Sequence, residues 1–87
     1  MIELIDFYAD WCSPCQAMKP VFAEVEKEYE GKVTFKKVDV EADTAMSQKF
    51  AIMSIPTFVI LKDGEEVARR MGAMPKDALT SWIDANI

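Results

Sequence analysis

An alternation of strand-like and helix-like segments is the feature that most limits how this 87-residue chain can fold. Residues 2 to 8, IELIDFY, are mostly apolar and include β-branched and aromatic side chains, which predicts a strand buried on both faces. From about residue 12 to residue 29, apolar side chains recur at steps of three and four, which predicts a helix with one buried face. Pro20 should kink this helix, and Gly31 should end it.

The alternation continues to the end of the chain. Residues 33 to 40 predict a second strand, and residues 43 to 51 predict a short helix. The stretch TFVILKDGEEVARRMG predicts two strands joined by a turn at Asp63-Gly64, which is a strong hairpin signal. A last helix is expected to open at Pro75, since proline suits the first helical position.

The predicted order is therefore β-α-β-α-β-β-α. Two β-α-β crossovers predict parallel pairing of the first three strands through right-handed connections, and the hairpin adds an antiparallel edge. The expected fold is α/β, with a mixed four-stranded sheet flanked by three helices. No linker or repeat divides the sequence, so residues 1–87 are expected to form one domain.

Charge and hydropathy argue against several classes of function. The net charge of -5 disfavours nucleic acid, because affinity for phosphates rests on Lys and Arg. No apolar run approaches the roughly 20 residues of a membrane span. The start MIELIDFYADWC does not have the pattern of a signal peptide, so a cytoplasmic, reducing setting is expected. The chain has no histidine, which removes the commonest general base and metal ligand.

Both cysteines, Cys12 and Cys15, lie in the stretch DWCSPC. A disulfide that closes about four residues gains only about 2 kcal/mol in the chain-entropy model, against about 4.7 kcal/mol for a 100-residue loop. A stabilising staple is therefore disfavoured. A zinc site needs about four ligands, and two thiols without histidine supply half of them unless two chains share the ion. No metal is expected, and the shared ion remains a minor alternative.

The placement of the pair favours thiol–disulfide chemistry. The helix is expected to begin at or just after Cys12, with Pro14 in its first turn. Free backbone N–H groups and the helix dipole there would lower the pKa of a thiol, and the thiolate is the attacking species. Cys15, three residues on, shares the helix face. It is expected to be less exposed and suited to attack a mixed disulfide.

Three residues elsewhere extend this prediction. Asp6 interrupts an apolar strand, so its carboxyl is expected to be buried and to accept a proton from Cys15, the alternative being an aspartate turned to water. Lys37 could pair with Asp6 or be a solvated strand lysine. Pro56, in SIPTFV, stands at a strand start, where its missing donor is tolerated, and its peptide bond could be cis.

The stretches DFYADWCSPCQAMKPVF, KKVDVE and SIPTFVILKDGEEVARRMGA occur in the order and spacing of the thioredoxin family. The resemblance covers essentially the whole chain, which resembles a short member that lacks the usual first strand and helix. It implies that Cys12 is the attacking cysteine and Cys15 the resolving one. It likewise implies that Asp6 is the family's buried acid and Lys37 its neighbouring lysine.

The resemblance also implies an apolar docking surface, on which a substrate chain lies extended against the cis-proline step. Its members would be Trp11, Pro14, Ile55, Pro56, Gly72 and Ala73. Met53, Met71 and Met74 lie near these loops in sequence and are candidates for an adaptable partner surface, unless they are core or incidental methionines. Trp82 has only a core-packing interpretation. Thioredoxins usually carry glycine where Ser13 stands, so the reduction potential can differ from theirs.

The leading hypothesis is a general protein-disulfide reductase with no cofactor beyond the Cys12–Cys15 disulfide. Its expected partners are protein disulfides and a thioredoxin reductase-like electron donor, and a cytoplasmic monomer is expected. A glutaredoxin-like, glutathione-dependent reductase is the first alternative, which Asp10 and the scarcity of cations near Trp11 disfavour. The second is a binding module that uses the apolar surface around Trp11, since a fold alone does not determine function.

Overall fold

A computed structural model describes residues 1–87 and contains the predicted order of elements. The four strands form one sheet in the order β2-β1-β3-β4, so the predicted mixed four-stranded sheet with three helices is confirmed. None of the helices is long and apolar enough to cross a membrane. The elements are β1 (Ile2–Tyr8), α1 (Ser13–Glu28), β2 (Thr34–Asp39), α2 (Thr44–Lys49), β3 (Thr57–Lys62), β4 (Glu65–Met71) and α3 (Lys76–Asp84).

The predicted parallel pairing of the first three strands is wrong for β3. Strands β1 and β2 are parallel, whereas β3 runs antiparallel to β1. Val40, just after β2, and Ile55, just before β3, both pack against the cluster that contains the two cysteines. The connection therefore leaves and re-enters the sheet at the same end. With six residues, α2 spans only about 9 Å, too little to carry the chain back along a strand of about 20 Å.

The sheet is covered on both faces. Side chains alternate along β1, so that Leu4 packs in the core beneath α1 and α3, whereas Ile5 and Phe7 face α2. Phe7 and Phe50 have ring centroids 5.6 Å apart on the α2 side. Each fully buried Leu or Phe contributes about 1.5–3 kcal/mol, so the two apolar layers hold the helices on the sheet.

The end of α1 agrees with the sequence prediction, whereas the start of α3 differs by one residue. Pro20 lies inside α1, which continues without a break to Glu28, and Gly31 follows with a φ of +84°, a conformation that favours glycine. Pro75 is the N-cap of α3 and not its first helical residue. It has no side-chain oxygen to bond the free N–H groups, so α3 begins without a side-chain cap.

Candidate functional site

Cys12 stands where the turn after β1 meets the start of α1. It is the N-cap residue, with extended backbone angles, and its carbonyl accepts the first helical hydrogen bond from Gln16 N at 3.0 Å. The Cys15 N–H donates to Cys12 Sγ at 3.2 Å. The sulfur therefore occupies the position of a capping oxygen, at the positive end of the helix dipole. A helix start is a position that favours a thiolate over a thiol.

The two cysteines form a disulfide with each other, and their Cα atoms are 5.2 Å apart. Cys12 is 5% exposed and Cys15 4%, so the predicted difference in exposure is absent from the oxidised form. The reason is packing, because Tyr8, Val40 and Ile55 cover the pair. No group of three or more His, Cys, Asp or Glu side chains is arranged to hold a metal ion.

Asp6 is buried in the middle of β1, as the sequence predicts. It follows Leu4 by two residues, so the two side chains share one face of the strand and the carboxyl faces the side of the sheet that α1 covers. The atom Oδ1 is fully buried and has no hydrogen-bond partner. Desolvation raises the pKa of Asp6 to about 6, and the charge of Lys37 opposes this shift.

Lys37 lies opposite Asp6 in the register of β1 and β2, but it forms no ion pair with the carboxylate. Its exposed ammonium lies 4.9 Å from the centroid of the Tyr8 ring. Desolvating an ammonium is expensive, and an exposed position over the half-buried Tyr8 ring avoids that penalty. Of the two alternatives, the structure has the solvated strand lysine, and Lys37 acts on Asp6 only through its charge.

The Ile55-Pro56 peptide bond is cis and lies beside the disulfide. Cys12 Sγ is 3.9 Å from the Ile55 carbonyl oxygen, and the Pro56 ring is buried. Gly72 has a φ of +94°, and its N–H donates to Pro56 O at 2.8 Å. The structure thus brings the Ile55-Pro56 step to the disulfide and Gly72 to Pro56, from segments far apart in sequence.

Trp11, Pro14 and Ala73 are exposed at the same end of the sheet. Trp11 is 68% exposed, and its Nε1 donates to Glu41 Oε1 at 2.9 Å. The sequence predictions did not include Glu41. A signal was available, because the carboxyl ends of parallel strands share one edge of a sheet and Glu41 follows β2 closely.

A groove of about 190 Å³ adjoins Trp11 and Ile55. A larger cavity of about 610 Å³ lies elsewhere, between α1 and the start of β2, and none of the predicted site residues lines it. Sequence reasoning missed four residues of the groove, which only the approach of α2 and the β3 loop brings together. The groove is lined by Trp11, Val40, Ser47, Ile52, Met53, Ser54 and Ile55.

The three methionines near the docking loops separate in the structure. Met53 is 92% exposed on the rim of the groove, and Met71 is exposed with its sulfur 3.2 Å from Ser54 Oγ. Met74 is buried in the core beneath α3, where its N–H donates to Met18 Sδ at 3.4 Å. Met74 is therefore a core residue and no part of a partner surface.

The family model described as Thioredoxin matches residues 1–85. The protein called Thioredoxin C-2 of Corynebacterium nephridii is 46% identical over 84 residues, which cover 97% of this chain and 78% of that protein. A thioredoxin of Staphylococcus haemolyticus (strain JCSC1435) is 40% identical over 86 residues, which cover 99% of this chain and 83% of the relative. A thioredoxin of Staphylococcus aureus (strain Mu50 / ATCC 700699) is 38% identical with the same coverage.

These similarities extend over nearly the whole chain and agree with the fold, and they give the glutaredoxin alternative no better support. The Cys12–Cys15 disulfide supplies the CxxC motif at the start of α1. The chain therefore belongs to the thioredoxin family and is a thiol-disulfide oxidoreductase that reduces protein disulfides.

Proposed function

We propose that Cys12 is the attacking thiolate of this protein-disulfide reductase and that Cys15 resolves the mixed disulfide. The observation that carries this assignment is the position of Cys12 Sγ, which accepts the Cys15 N–H at the free end of α1. Hydrogen bonding and the helix dipole both favour the anion there. Cys15 lies one turn further on and already reaches Cys12.

The reaction then proceeds in two exchanges. The Cys12 thiolate attacks one sulfur of the substrate disulfide, whose S–S bond breaks, and the other substrate sulfur leaves as a thiolate that takes a proton. Cys15 loses its proton and attacks Cys12 Sγ, which expels the second substrate thiolate. The substrate gains two electrons and two protons, and the protein becomes the Cys12–Cys15 disulfide.

Asp6 is proposed to accept the proton of Cys15. Its buried Oδ1 has no partner, and a pKa of about 6 leaves the carboxyl mostly ionised at pH 7 yet basic enough to accept a proton. α1 carries Cys15 over the face of β1 to which Asp6 belongs. Lys37 is proposed to moderate the pKa of Asp6 through its charge.

The substrate chain is proposed to lie extended along the groove. The disulfide of the substrate would lie between the Trp11 indole, which is hydrogen-bonded to Glu41, and the Ile55-Pro56 step. The apolar lining of the groove supports this role, since protein substrates bind through buried apolar contacts. The proposed contact residues are Trp11, Pro14, Ile55, Pro56, Gly72 and Ala73.

Residues 1–87 are proposed to act as one thioredoxin-like domain and as a monomer of the cytoplasm, with no prosthetic group. A thioredoxin reductase-like partner would supply electrons to the oxidised form. The net charge of -5 disfavours phosphate surfaces, so nucleic acid and membrane surfaces are not proposed as partners.

The test is the turbidity assay of insulin reduction by dithiothreitol. Wild type should accelerate precipitation, Cys12→Ser should abolish the acceleration, and Cys15→Ser should accumulate a mixed disulfide visible on non-reducing gels. Ser81→Ala, an exposed change in α3, is the matched control and should act as wild type. Equal rates for wild type and Cys12→Ser would refute the proposal.

Two further comparisons address the alternatives. Re-reduction of the oxidised protein by thioredoxin reductase, and not by glutathione, would separate the proposed function from the glutaredoxin-like one. Tight binding of a partner protein that persists when both cysteines are replaced by serine would favour the binding module.

A further inference from the structure

We propose that Arg69 of β4 is a positioning residue that holds one wall of the substrate groove and sets the affinity for protein substrates without altering the thiol chemistry. This inference rests on the proposed function of the groove. The wall segment is defined here as residues 50–56, which join α2 to β3.

Arg69 is held by two partners at once. Its Nη2 donates to the Phe50 carbonyl oxygen at 2.7 Å. Its guanidinium also donates two hydrogen bonds to the Glu66 carboxylate, from Nε to Oε2 at 2.8 Å and from Nη2 to Oε1 at 2.9 Å. This bidentate contact with Glu66 fixes the plane of the guanidinium, and with it the direction of the hydrogen bond to the Phe50 carbonyl oxygen. Phe50 is the C-cap of α2, whose last carbonyls lack helical partners, and Arg69 satisfies one of them.

The wall segment leads directly from this bond into the groove. Ile52, Met53, Ser54 and Ile55 all line the groove. Ala51, next to Phe50, has a φ of +50°, which is an unfavourable conformation for a residue with a Cβ. An external contact at Phe50 therefore helps to hold the chain in the turn that presents these side chains.

Both ends of the wall segment are attached to β4 or to Gly72, the residue that directly follows it. Arg69 binds the Phe50 end, while the Gly72 N–H donates to Pro56 O at 2.8 Å at the other end. β4 thus sets the width of the groove between the wall segment and Trp11. A groove held in its binding shape loses less conformational entropy when a peptide docks, which strengthens binding.

A general stabilising role accounts less well for this arrangement. The Arg69 and Glu66 side chains are about one-third exposed, and ion pairs of that kind contribute little to stability. Arg70, the next residue, has the same charge, but its side chain points to the other face of the sheet and makes no hydrogen bond or ion pair. It offers a matched control for the loss of one guanidinium from β4.

The experiment compares a protein disulfide with a small one. Wild type, Arg69→Met, Arg69→Lys and Arg70→Met are assayed with insulin, which needs the groove, and with 5,5′-dithiobis(2-nitrobenzoate), which does not. Arg69→Met should raise KM for insulin about three- to tenfold with little change in kcat, and should leave the rate with the small disulfide and the midpoint potential unchanged. Arg69→Lys should show a smaller rise in KM, because lysine can donate to the Phe50 carbonyl oxygen but lacks the planar guanidinium that binds Glu66 in a bidentate contact. Arg70→Met should behave as wild type.

Three results would overturn the inference: an equal loss with both disulfides, an unchanged KM in Arg69→Met, or the same rise in Arg70→Met. If Arg69→Met does not fold, Glu66→Gln replaces it, and a smaller rise in KM confined to insulin is expected because the fork loses its charged partner. No such rise would contradict the proposal. Failure of wild type to exceed Cys12→Ser with insulin would refute the proposed function itself, which keeps the two outcomes distinct.

Discussion

At the scale of single residues, Asp6 shows that a side chain suited to the site can lower the stability of the fold. The strand places a carboxyl among apolar side chains, where Oδ1 finds no donor and the negative charge is poorly solvated. The same desolvation raises the pKa to about 6, which suits a proton acceptor near neutral pH. An ordinary surface aspartate would be too weak a base for the role proposed for Asp6.

Asp6→Asn is expected to raise the free energy of unfolding at pH 7–8. The folded pKa of about 6 lies above the unfolded value of 3.8, so wild type loses stability as pH rises between these values and does not regain it above them. The difference of about two pKa units predicts that Asp6→Asn has a free energy of unfolding about 3 kcal/mol higher than wild type at neutral pH. This difference in stability should vanish below about pH 4. Urea unfolding of the oxidised proteins at several pH values measures it.

The exposed Asp10→Asn variant is the control for the loss of a carboxylate and should show no comparable dependence on pH. A stability difference between Asp6→Asn and wild type that is the same at pH 4 and pH 8 would contradict the burial argument.

At the scale of elements, the attachment of α3 to α1 depends on a few contacts. α3 has no side-chain cap, and it is held by its buried apolar face and by Tyr29 at the end of α1. The Tyr29 hydroxyl donates to Asp84 Oδ1 at 2.6 Å, and burial together with this bond raises the pKa of Tyr29 to about 12. Lys76 adds ion pairs with Glu28 and Glu24, but these are largely exposed and contribute little.

Tyr29→Phe is expected to lower the free energy of unfolding by about 1–2 kcal/mol, because Asp84 loses a hydrogen bond while the ring still packs. The site lies at the other end of α1, so insulin reduction should not change. Lys76→Met is the control and should leave the free energy of unfolding nearly unchanged, because its ion pairs are exposed to solvent. Denaturant unfolding checks both variants, and equal losses in the two would contradict the ranking of these contacts.

At the scale of the whole molecule, the site lies at one end of the sheet and is built from four separate segments. These are the ends of β1 and β2, the start of β3 and the end of β4, as the contacts of Cys12, Trp11, Pro56 and Gly72 show. The chain has no histidine and a net charge of -5, so its overall field does not favour an additional negative charge at Cys12. The thiolate is stabilised mainly by the helix start.

The midpoint potential of the Cys12–Cys15 couple is therefore expected below about -200 mV, in the range of reductants, because strong oxidants require a much more stabilised reduced form. Fluorescence of Trp11 titrated against glutathione and dithiothreitol buffers measures it. A Trp82→Phe background removes the second tryptophan as a control. A midpoint well above about -200 mV would indicate an oxidant or an isomerase.

The sequence alone determined the elements and the chemistry at the start of α1. Strand and helix periods, the Asp63-Gly64 turn and the place of Cys12 depend on interactions within a few residues, and the structure bears them out. The burial of Asp6 was also predictable, because the apolar residues on both sides of it hold the strand in the core. The position of Cys15 followed from the three-residue spacing.

Only the tertiary structure decided the direction of β3, the separation of Lys37 from Asp6, and the burial of Met74. It also decided the hydrogen bonds that complete the groove. Examples are the bond between Trp11 and Glu41, 30 residues apart, and the bond between Arg69 and Phe50, 19 residues apart. No local period encodes such contacts. They depend on how the elements pack and on which polar groups are left unsatisfied when they meet, and both are properties of the assembled chain.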